Sequence, residues 1–482
     1  MVQLFCVSTN LKCRWAIRNS GLILFRSTVD RIFGTSESKA ALESGWDGKS
    51  VKINYDAYPT MATLLENLLK EEPTTSEKLG QPASAVVNLV LPALDLISRA
   101  GPPPSKREVI FNSVMSHLGS PQWHVREQAA KAICIMVLSM EWKDSIMALL
   151  ETPTKSANLR HGLLMAAKAI LERRFALDPA TALRKSSCLH THRFGAKLIN
   201  LLAGVFELIP RLQKLSSDDA DEFASPIITN GHIEISIAIA DGLVSYETPI
   251  GEEREYLDRT KAIWSTSSST SPSMKEYLHW FHPNHVEDKT KYEHCYSALA
   301  RLAIYQMALS RNHQALGGFL SKLSRYGTDV QASTLECVSR AWKQAGKFSE
   351  LFKAQHSQMH SNNSAIRTAT YISLTMILEN PRHTSPLVDK ETVRVLQSML
   401  PAYSRSAFEE QALFGEQELC ARIRIGAWLF AAASRSCSDT EVVVVFEKEN
   451  FKYWTHWLLW GSASSNVSLY SSHFFFIAFG QG

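Results

Sequence analysis

Apolar residues recur along most of the chain at the spacing of three to four residues that gives a helix one apolar side. The first long example is the segment 15–34, WAIRNSGLILFRSTVDRIFG, whose apolar residues form one broad stripe with arginines at its edges. The same spacing returns after each polar turn and predicts an all-α chain. It predicts helices over 61–70, 83–100, 108–118, 125–140, 159–175 and 196–215, and then over 292–310, 315–326, 330–345, 348–356, 365–378, 392–399 and 407–434.

Two of these predicted helices, 108–118 and 125–140, flank a short turn at Ser120 and Pro121 and so predict a helix hairpin. The second helix opens with an apolar residue, an arginine and then small residues, which resembles the second helix of a HEAT repeat. Because stacked hairpins bury a continuous core, the sequence predicts an α-solenoid of the HEAT/armadillo type. The apolar-arginine pair recurs at Ile17-Arg18, Val125-Arg126, Leu159-Arg160, Ile366-Arg367 and Ile423-Arg424.

Two polar segments and one apolar segment are harder to assign. The segment 227–246 has alternating isoleucines, which fit either a strand or a helix that is apolar on every side, and its length and surroundings favour a helix. The acidic run 216–226, SSDDADEFASP, predicts a solvated loop in which Asp218 and Asp219 have ordinary pKa values. The run 265–274, STSSSTSPSM, predicts a low-complexity loop.

These features divide the sequence into four parts. A helical-repeat array, 1–264, is followed by the Ser/Thr loop, 265–274, a second helical-repeat segment, 275–446, and an irregular tail, 447–482. The first helix needs packing neighbours on both sides, yet only about a dozen residues precede it. We therefore expect the sequence to begin partway through a longer protein.

Composition limits the function classes that remain. Lys plus Arg number 51 against 47 Asp plus Glu among the 482 residues, so the chain lacks the positive charge of a protein that binds nucleic acid unaided. Any RNA contact must come from a local patch or through a partner. The 8 cysteines are dispersed without a CxxC pair, which is typical of reduced thiols in a cytosolic or nuclear protein. We predict no signal peptide and no membrane span.

The sequence offers no catalytic motif. It contains no phosphate-binding Gly-rich loop, GxSxG elbow or HExxH pair, and it lacks the strand, glycine turn and acidic residue that would bind a methyl donor. We therefore predict a non-catalytic chain with no cofactor. His279, His282 and His285 have ligand-like spacing but no cysteine partner, and they fit a connecting loop, so no metal site is predicted.

Several segments resemble one family. The segment 15–34 resembles the end of the conserved block in the THADA family, the thyroid-adenoma-associated proteins and their fungal relatives. As in that family, a Tyr58-Pro59 pair and the helix MATLLENLL follow, and SPQWHVREQAAKAI and SANLRHGLLMAAKAIL resemble later helices. The likeness runs in order to about Phe446, so the chain resembles the C-terminal portion of these large helical-repeat proteins. An arginine-rich motif that lies upstream in the family is missing here.

The resemblance implies a function. The chain would be a regulatory subunit for an FtsJ-like methyltransferase, which methylates a ribose 2′-hydroxyl at position 32 of the tRNA anticodon loop. That partner would supply S-adenosylmethionine and the catalytic residues, and the complex is expected in the cytoplasm. The alternative, which the near-neutral charge favours, is a HEAT/armadillo protein–protein scaffold without RNA, for example in trafficking or ion-pump regulation.

Arginines are the candidate contacts to RNA or to a partner, because a guanidinium group binds a phosphate through two parallel hydrogen bonds. The alternative is that each pairs with an acidic group or a helix C-terminal carbonyl inside the repeats. The family resemblance favours a binding role most at Arg18, where the match is closest. The candidates are Arg14, Arg18, Arg26, Arg31, Arg126, Arg160 and the neighbouring His161.

Overall fold

A computed structural model gives the fold for part of the chain. Every regular element in the described part is a helix, so the predicted all-α fold is confirmed. The chain divides into two compact units, Met1–His282 and Pro283–Gly482. The described residues are 55, 59–70, 83–137, 141–176, 191–223, 225–245, 252–270, 293–309, 314–323, 326–341, 355, 358–359, 361–378, 417–418, 421 and 425.

Helices of the first unit are α1 (Pro59–Lys70), α2 (Ala83–Ala100), α3 (Arg107–His117), α4 (Trp123–Val137), α5 (Trp142–Leu150), α6 (Ala157–Ala176), α7 (Thr191–Phe223), α8 (Pro226–Ser245) and α9 (Glu252–Thr270). A short 3₁₀ turn, Pro104–Lys106, precedes α3. Helices of the second unit are α10 (Glu293–Leu309), α11 (Gln314–Leu323), α12 (Thr328–Ala341) and α13 (Ser364–Leu378).

The first unit is a stack of helix hairpins. α2, α4, α6 and α8 pack on one another in this order and form one layer, which we call layer B. α1, α3, α5 and α7 form layer A, and each of them packs on the layer B helix that follows it in the chain. α9 packs mainly on α7. This arrangement is the two-layered stack that the repeat pattern predicted.

In the second unit, α10, α12 and α13 pack in the same successive manner, and α11 contacts both α10 and α12. The predicted helices 292–310, 330–345 and 365–378 are therefore observed within a few residues of their predicted ends. Propensity and spacing locate the middle of a helix better than its ends, where helices fray.

Two glycines lie where helices approach closely. A Cβ atom added to Gly162 of α6 would lie 2.8 Å from the carbonyl carbon of Leu118, directly after α3, and the Leu118 carbonyl oxygen would be nearer still. A Cβ atom added to Gly242 of α8 would lie 2.5 Å from ring carbons of Phe175 on α6. Larger side chains at these two positions would force the helices apart, so both glycines have a packing role.

α8 settles the assignment of the isoleucine-rich segment as a helix. It is long and apolar enough to cross a membrane by length and composition, but 67% of its most apolar window is buried inside the fold. It packs against α6, α7 and α9, so apolar side chains face neighbours on several sides. Burial on all sides explains why the apolar residues show no single stripe.

Two predicted loops are wrong in part. α7 continues to Phe223 through the acidic run, and Asp219 is buried rather than solvated, because basic side chains from other helices surround it. α9 continues to Thr270, so residues 265–270 are helical. The reason is that α9 is anchored by Trp264, which is buried and donates a hydrogen bond from Nε1 to the Ser236 carbonyl oxygen at 3.1 Å.

Other predictions fall outside the described residues. These are the helices 15–34 and 392–399, the tail 447–482 and residues 271–274 of the low-complexity loop. The helices 348–356 and 407–434 are described only at isolated positions. The predicted boundaries of the repeat segments stay predictions.

Candidate functional site

Three arginines occupy the same place in three helices. Arg126, Arg160 and Arg367 are each the fourth residue of their helix, in α4, α6 and α13. Each donates a hydrogen bond from Nη1 to a backbone carbonyl that precedes its own helix. The apolar-arginine pattern in the sequence therefore marks a recurring bridge that ties the start of a helix to the turn before it.

Arg160 is the centre of a buried cluster. Its Nε donates to both carboxylate oxygens of Asp219, at 2.9 Å and 2.7 Å, and its Nη1 donates to the Leu150 carbonyl oxygen. His232 of α8 donates from Nε2 to Asp219 Oδ2 at 2.6 Å. Three helices and the end of α5 thus meet at one carboxylate, which is 3% exposed.

The electrostatics of this cluster favour an ionised carboxylate. Burial by itself raises the pKa of Asp219, but the hydrogen bonds from His232 and Arg160 outweigh it and hold the pKa below its ordinary value. Asp219 therefore stays charged at neutral pH and offsets the Arg160 charge. The carboxylate thereby links α6, α7 and α8 through two hydrogen-bonded partners.

Arg367 repeats this arrangement in the second unit. Its Nε donates to Glu418 Oε1 at 3.0 Å and its Nη2 to Glu418 Oε2 at 3.4 Å, a bidentate side-on pair. Its Nη1 donates to the Ser361 carbonyl oxygen at 2.8 Å. Glu418 is fully buried, so this ion pair also lies in the interior of its unit.

Arg126 differs from the other two. It also follows an apolar residue, Val125, but its observed hydrogen bonds all leave from Nη1. They go to the carbonyl oxygens of Ser120 at 2.6 Å and Pro121 at 3.1 Å, and to Asn158 Oδ1 at 3.2 Å. Nε is buried without a hydrogen-bond partner among the described residues. Burial lowers the pKa of Arg126 from its usual value.

His161 lies beside this arginine. Its Nδ1 is buried and has no hydrogen-bond partner in the described part of the chain. Burial, and then the charge of Arg126, lower the pKa of His161 to about 4. The imidazole is therefore neutral at physiological pH.

An exposed aromatic pair opens α4. Trp123 is 48% exposed, and its ring lies 4.9 Å from the His124 ring in an edge-on arrangement. Layer B helices run parallel, since Arg126 near the start of α4 contacts Asn158 near the start of α6. Their first residues therefore share one edge of the layer, and Ile227 at the start of α8 is also exposed there.

Three lysines on the two layers are paired with carboxylates. Ion pairs join Lys131 to Glu127 at 2.9 Å on α4, Lys143 of α5 to Glu207 of α7 at 2.7 Å, and Lys168 of α6 to Glu234 of α8 at 2.8 Å. Surface pairs of this kind contribute little to stability. Each pair offsets the charge of a lysine that would otherwise attract a polyanion.

This geometry can be compared with known families. Residues 18–170 match the family model described as Trm732, C-terminal TPR repeats. The match covers about a third of the chain, from the predicted helix 15–34 into α6. A comparison with curated proteins gives no match. The chain is similar to this family over these residues, which is consistent with a Trm732/THADA-like protein, whereas the narrower THADA assignment stays a prediction.

Tetratricopeptide repeats and HEAT repeats are both helix hairpins that stack in series. The tetratricopeptide period of about 34 residues separates Arg126 from Arg160 in the sequence. The two bridges therefore mark equivalent positions in successive hairpins, in agreement with the family match.

The structure brings three of the predicted site residues together. Arg126 and Arg160 are each 4% exposed, His161 is also buried, and the three lie at the starts of α4 and α6. Arg160 makes the contacts of the structural alternative, since it pairs with Asp219 and with the carbonyl at the end of α5. A binding role for the three residues stays a prediction. The other candidates, Arg14, Arg18, Arg26 and Arg31, lie outside the described residues, and their role stays a prediction.

Sequence reasoning missed the partners of these arginines. Asp219 is 59 residues from Arg160 in the sequence, and Glu418 is 51 residues from Arg367. Local spacing carries no signal for pairs so far apart. Asp219 also lies in a run of acidic and small residues that resembles a loop.

No group of three or more His, Cys, Asp or Glu side chains is placed to hold a metal ion within the described ranges. His279, His282 and His285 lie outside those ranges. The three cysteines described as free, Cys134, Cys295 and Cys337, are buried.

Proposed function

We propose that the chain is a non-catalytic regulatory subunit of a tRNA-modifying enzyme. The observation that carries this proposal is the match of residues 18–170 to the Trm732 C-terminal TPR repeats. The stacked hairpins of the first unit support it, because such a stack offers long surfaces to large partners without catalytic residues of its own.

The specific partner proposed is an FtsJ-like methyltransferase that acts on a ribose 2′-hydroxyl of the tRNA anticodon loop in the cytoplasm. The enzyme would bind S-adenosylmethionine and perform the transfer. The chain would hold enzyme and tRNA in a productive orientation, which alone lowers the barrier substantially.

Charge distribution refines this proposal. Because Lys131, Lys143 and Lys168 are paired with carboxylates, these three lysines attract RNA phosphates weakly. The proposal therefore assigns the RNA contact to the segment 15–34, where Arg18 is the leading candidate, or to the enzyme. The described layers would then serve mainly as a protein-binding surface.

A protein–protein scaffold without RNA is the second candidate. The matched charges and the exposed Trp123 favour it, since exposed tryptophans are common anchors of protein interfaces. Salt dependence separates the two candidates: an affinity for tRNA that falls steeply between low and high salt supports the RNA-linked function, and no measurable tRNA binding with or without the enzyme supports the scaffold.

Reconstitution tests the proposal. The purified chain, the purified methyltransferase and the mixture are each incubated with unmodified tRNA and S-adenosylmethionine, and ribose methylation is read by mass spectrometry. We expect methylation of one anticodon-loop nucleotide with the mixture and little with either protein alone. The same yield from the enzyme without the chain would contradict a regulatory role, and turnover by the chain alone would make it an enzyme.

A further inference from the structure

The three equivalent arginines point to a binding site at one of them. A guanidinium group has a side-on edge, formed by Nε and Nη2, that matches the two oxygens of a carboxylate. Arg367 uses both nitrogens of this side for the buried carboxylate of Glu418, and Arg160 uses Nε for both oxygens of Asp219. In both arginines Nη1 donates to a backbone carbonyl that precedes the helix. The sequence and the fold thus repeat one arrangement of arginine, carbonyl and carboxylate.

At Arg126 the same arrangement is incomplete within the described residues. Nη1 holds the preceding turn as in the other two, but Nε has no partner, and the polar side chain supplied by the next hairpin is the neutral amide of Asn158. Arg126 is nine-tenths buried or more, so its charge is poorly solvated. Burying a charge without a counter-charge costs free energy, and a carboxylate that binds the guanidinium group would recover part of that cost.

Helix length differs between the two hairpins, and among the described residues no carboxylate bonds to Arg126. Asp219, the partner of Arg160, lies near the end of α7, which spans Thr191–Phe223. The corresponding helix for Arg126 is α5, which spans only Trp142–Leu150 and ends in leucine. The short helix thus stops where its counterpart in the next hairpin provides an acidic residue.

The surroundings favour a protein ligand. Trp123 is exposed one helical turn before Arg126, and tryptophan and arginine are both enriched at protein-interface hot spots. In the two equivalent sites, Nε of the arginine holds a protein carboxylate.

We propose that the side-on edge of Arg126 binds an aspartate or glutamate side chain of a partner protein, with Trp123 as the apolar anchor beside it. The proposal rests on the proposed function in one respect, since the partner tested is the methyltransferase subunit. In this arrangement the partner completes the carboxylate position that Asp219 and Glu418 fill in the other two bridges.

Asn158→Asp tests the proposal without removing the arginine. Asn158 Oδ1 already lies 3.2 Å from Arg126 Nη1, so the variant supplies a carboxylate from within the chain and competes with the partner. We expect a melting temperature equal to or above that of the wild type, and an affinity for the purified methyltransferase at least tenfold weaker. Asn200→Asp is the matched control, because it adds the same charge at an exposed position of α7 and should change the affinity less than twofold.

Trp123→Ala is the second variant, because an exposed side chain can be truncated without unfolding the chain. It should also weaken the affinity at least tenfold. Affinities of both variants for the methyltransferase within twofold of the wild type would overturn this proposal alone. Variants that lose tRNA binding but still bind the methyltransferase would also overturn it, because RNA would then be the ligand.

A wild-type chain that does not bind the methyltransferase would overturn this proposal and the proposed function together.

Discussion

Asp219 joins two buried basic side chains of the first unit. Arg160 and His232 both donate to it, and it is supplied by a third helix, so the three helices share one ionised carboxylate. Removing one member of a buried, hydrogen-bonded ion pair leaves the other charge unpaired in the interior, which costs far more than losing a surface pair.

We expect Asp219→Asn to lower the free energy of unfolding by roughly 3–5 kcal/mol, because the charge of Arg160 then lacks its partner. Asp218→Asn is the matched control. The neighbouring carboxylate is exposed, and its loss should change stability by less than about 0.5 kcal/mol. Urea denaturation of the three proteins measures the difference, and equal midpoints for the two variants would contradict the structural role of Asp219.

His161 gives the first unit a pH-dependent stability. Its pKa is about 4 in the folded chain and about 6.5 in an unfolded chain, so the unfolded state binds more protons between these values. Stability from this residue is therefore complete above about pH 6.5 and is lost as the pH falls towards 4, by up to about 3 kcal/mol.

The measurement compares the free energy of unfolding at pH 7.5 and pH 4.5 for the wild type and His161→Gln. The wild type should lose more stability on acidification than the variant, because glutamine does not take up a proton. His124→Gln, at an exposed position of the same unit, should behave as the wild type. Equal losses in the wild type and His161→Gln would show that this histidine does not carry the effect.

At the scale of the residue, the sequence located a recurring arginine but not its partners. The apolar-arginine pattern occurs at five positions, and the three that the structure describes, Arg126, Arg160 and Arg367, have the same place in a helix. Their partners could not be predicted, since a side chain such as Asp219 is brought close only when separate hairpins stack. Spacing along the chain reports local structure alone.

Elements are held at fixed separations by small residues. Gly162 of α6 lies against the backbone of Leu118, and backbone moves less readily than the end of a flexible side chain. The close approach of α6 to the end of α3 therefore requires a glycine, which has no side chain, at position 162.

We expect Gly162→Ala to destabilise the chain by about 3 kcal/mol or more, because the added methyl group overlaps the Leu118 carbonyl and the helices must separate. Gly318→Ala is the control. Gly318 is also within a helix, α11, but an added Cβ meets nothing within 4 Å, so alanine should stabilise by up to about 1 kcal/mol through helix propensity. Calorimetry measures both changes, and destabilisation by both variants would mean that helix packing is not the cause.

Most helices were predictable from spacing, whereas α5 and α9 were not predicted. α2 was predicted at both of its observed ends, 83 and 100, because a Gly-Pro cluster stops it. α7 extends beyond its predicted end at 215, and α9 continues into the predicted loop 265–274, because Asp219 and Trp264 gain contacts from other helices that polar sequence alone does not reveal. Tertiary contacts thus override local preference at the ends of elements.

At the scale of the molecule, the first unit combines a stack of hairpins with a family match over residues 18–170. The stack is compatible with the proposed role of a non-catalytic subunit, since it presents rows of helix ends and faces to partners. The proposal that the chain acts by binding an enzyme rests on this stack and on the family match.

The most direct test of this account is a mass-spectrometric map of ribose methylation in tRNA from cells with and without the gene. The account predicts the loss of one anticodon-loop methyl group in the deletion strain, with the remaining modifications unchanged, and its return when the gene is restored. An unchanged map would contradict the tRNA function and leave a protein scaffold as the remaining candidate.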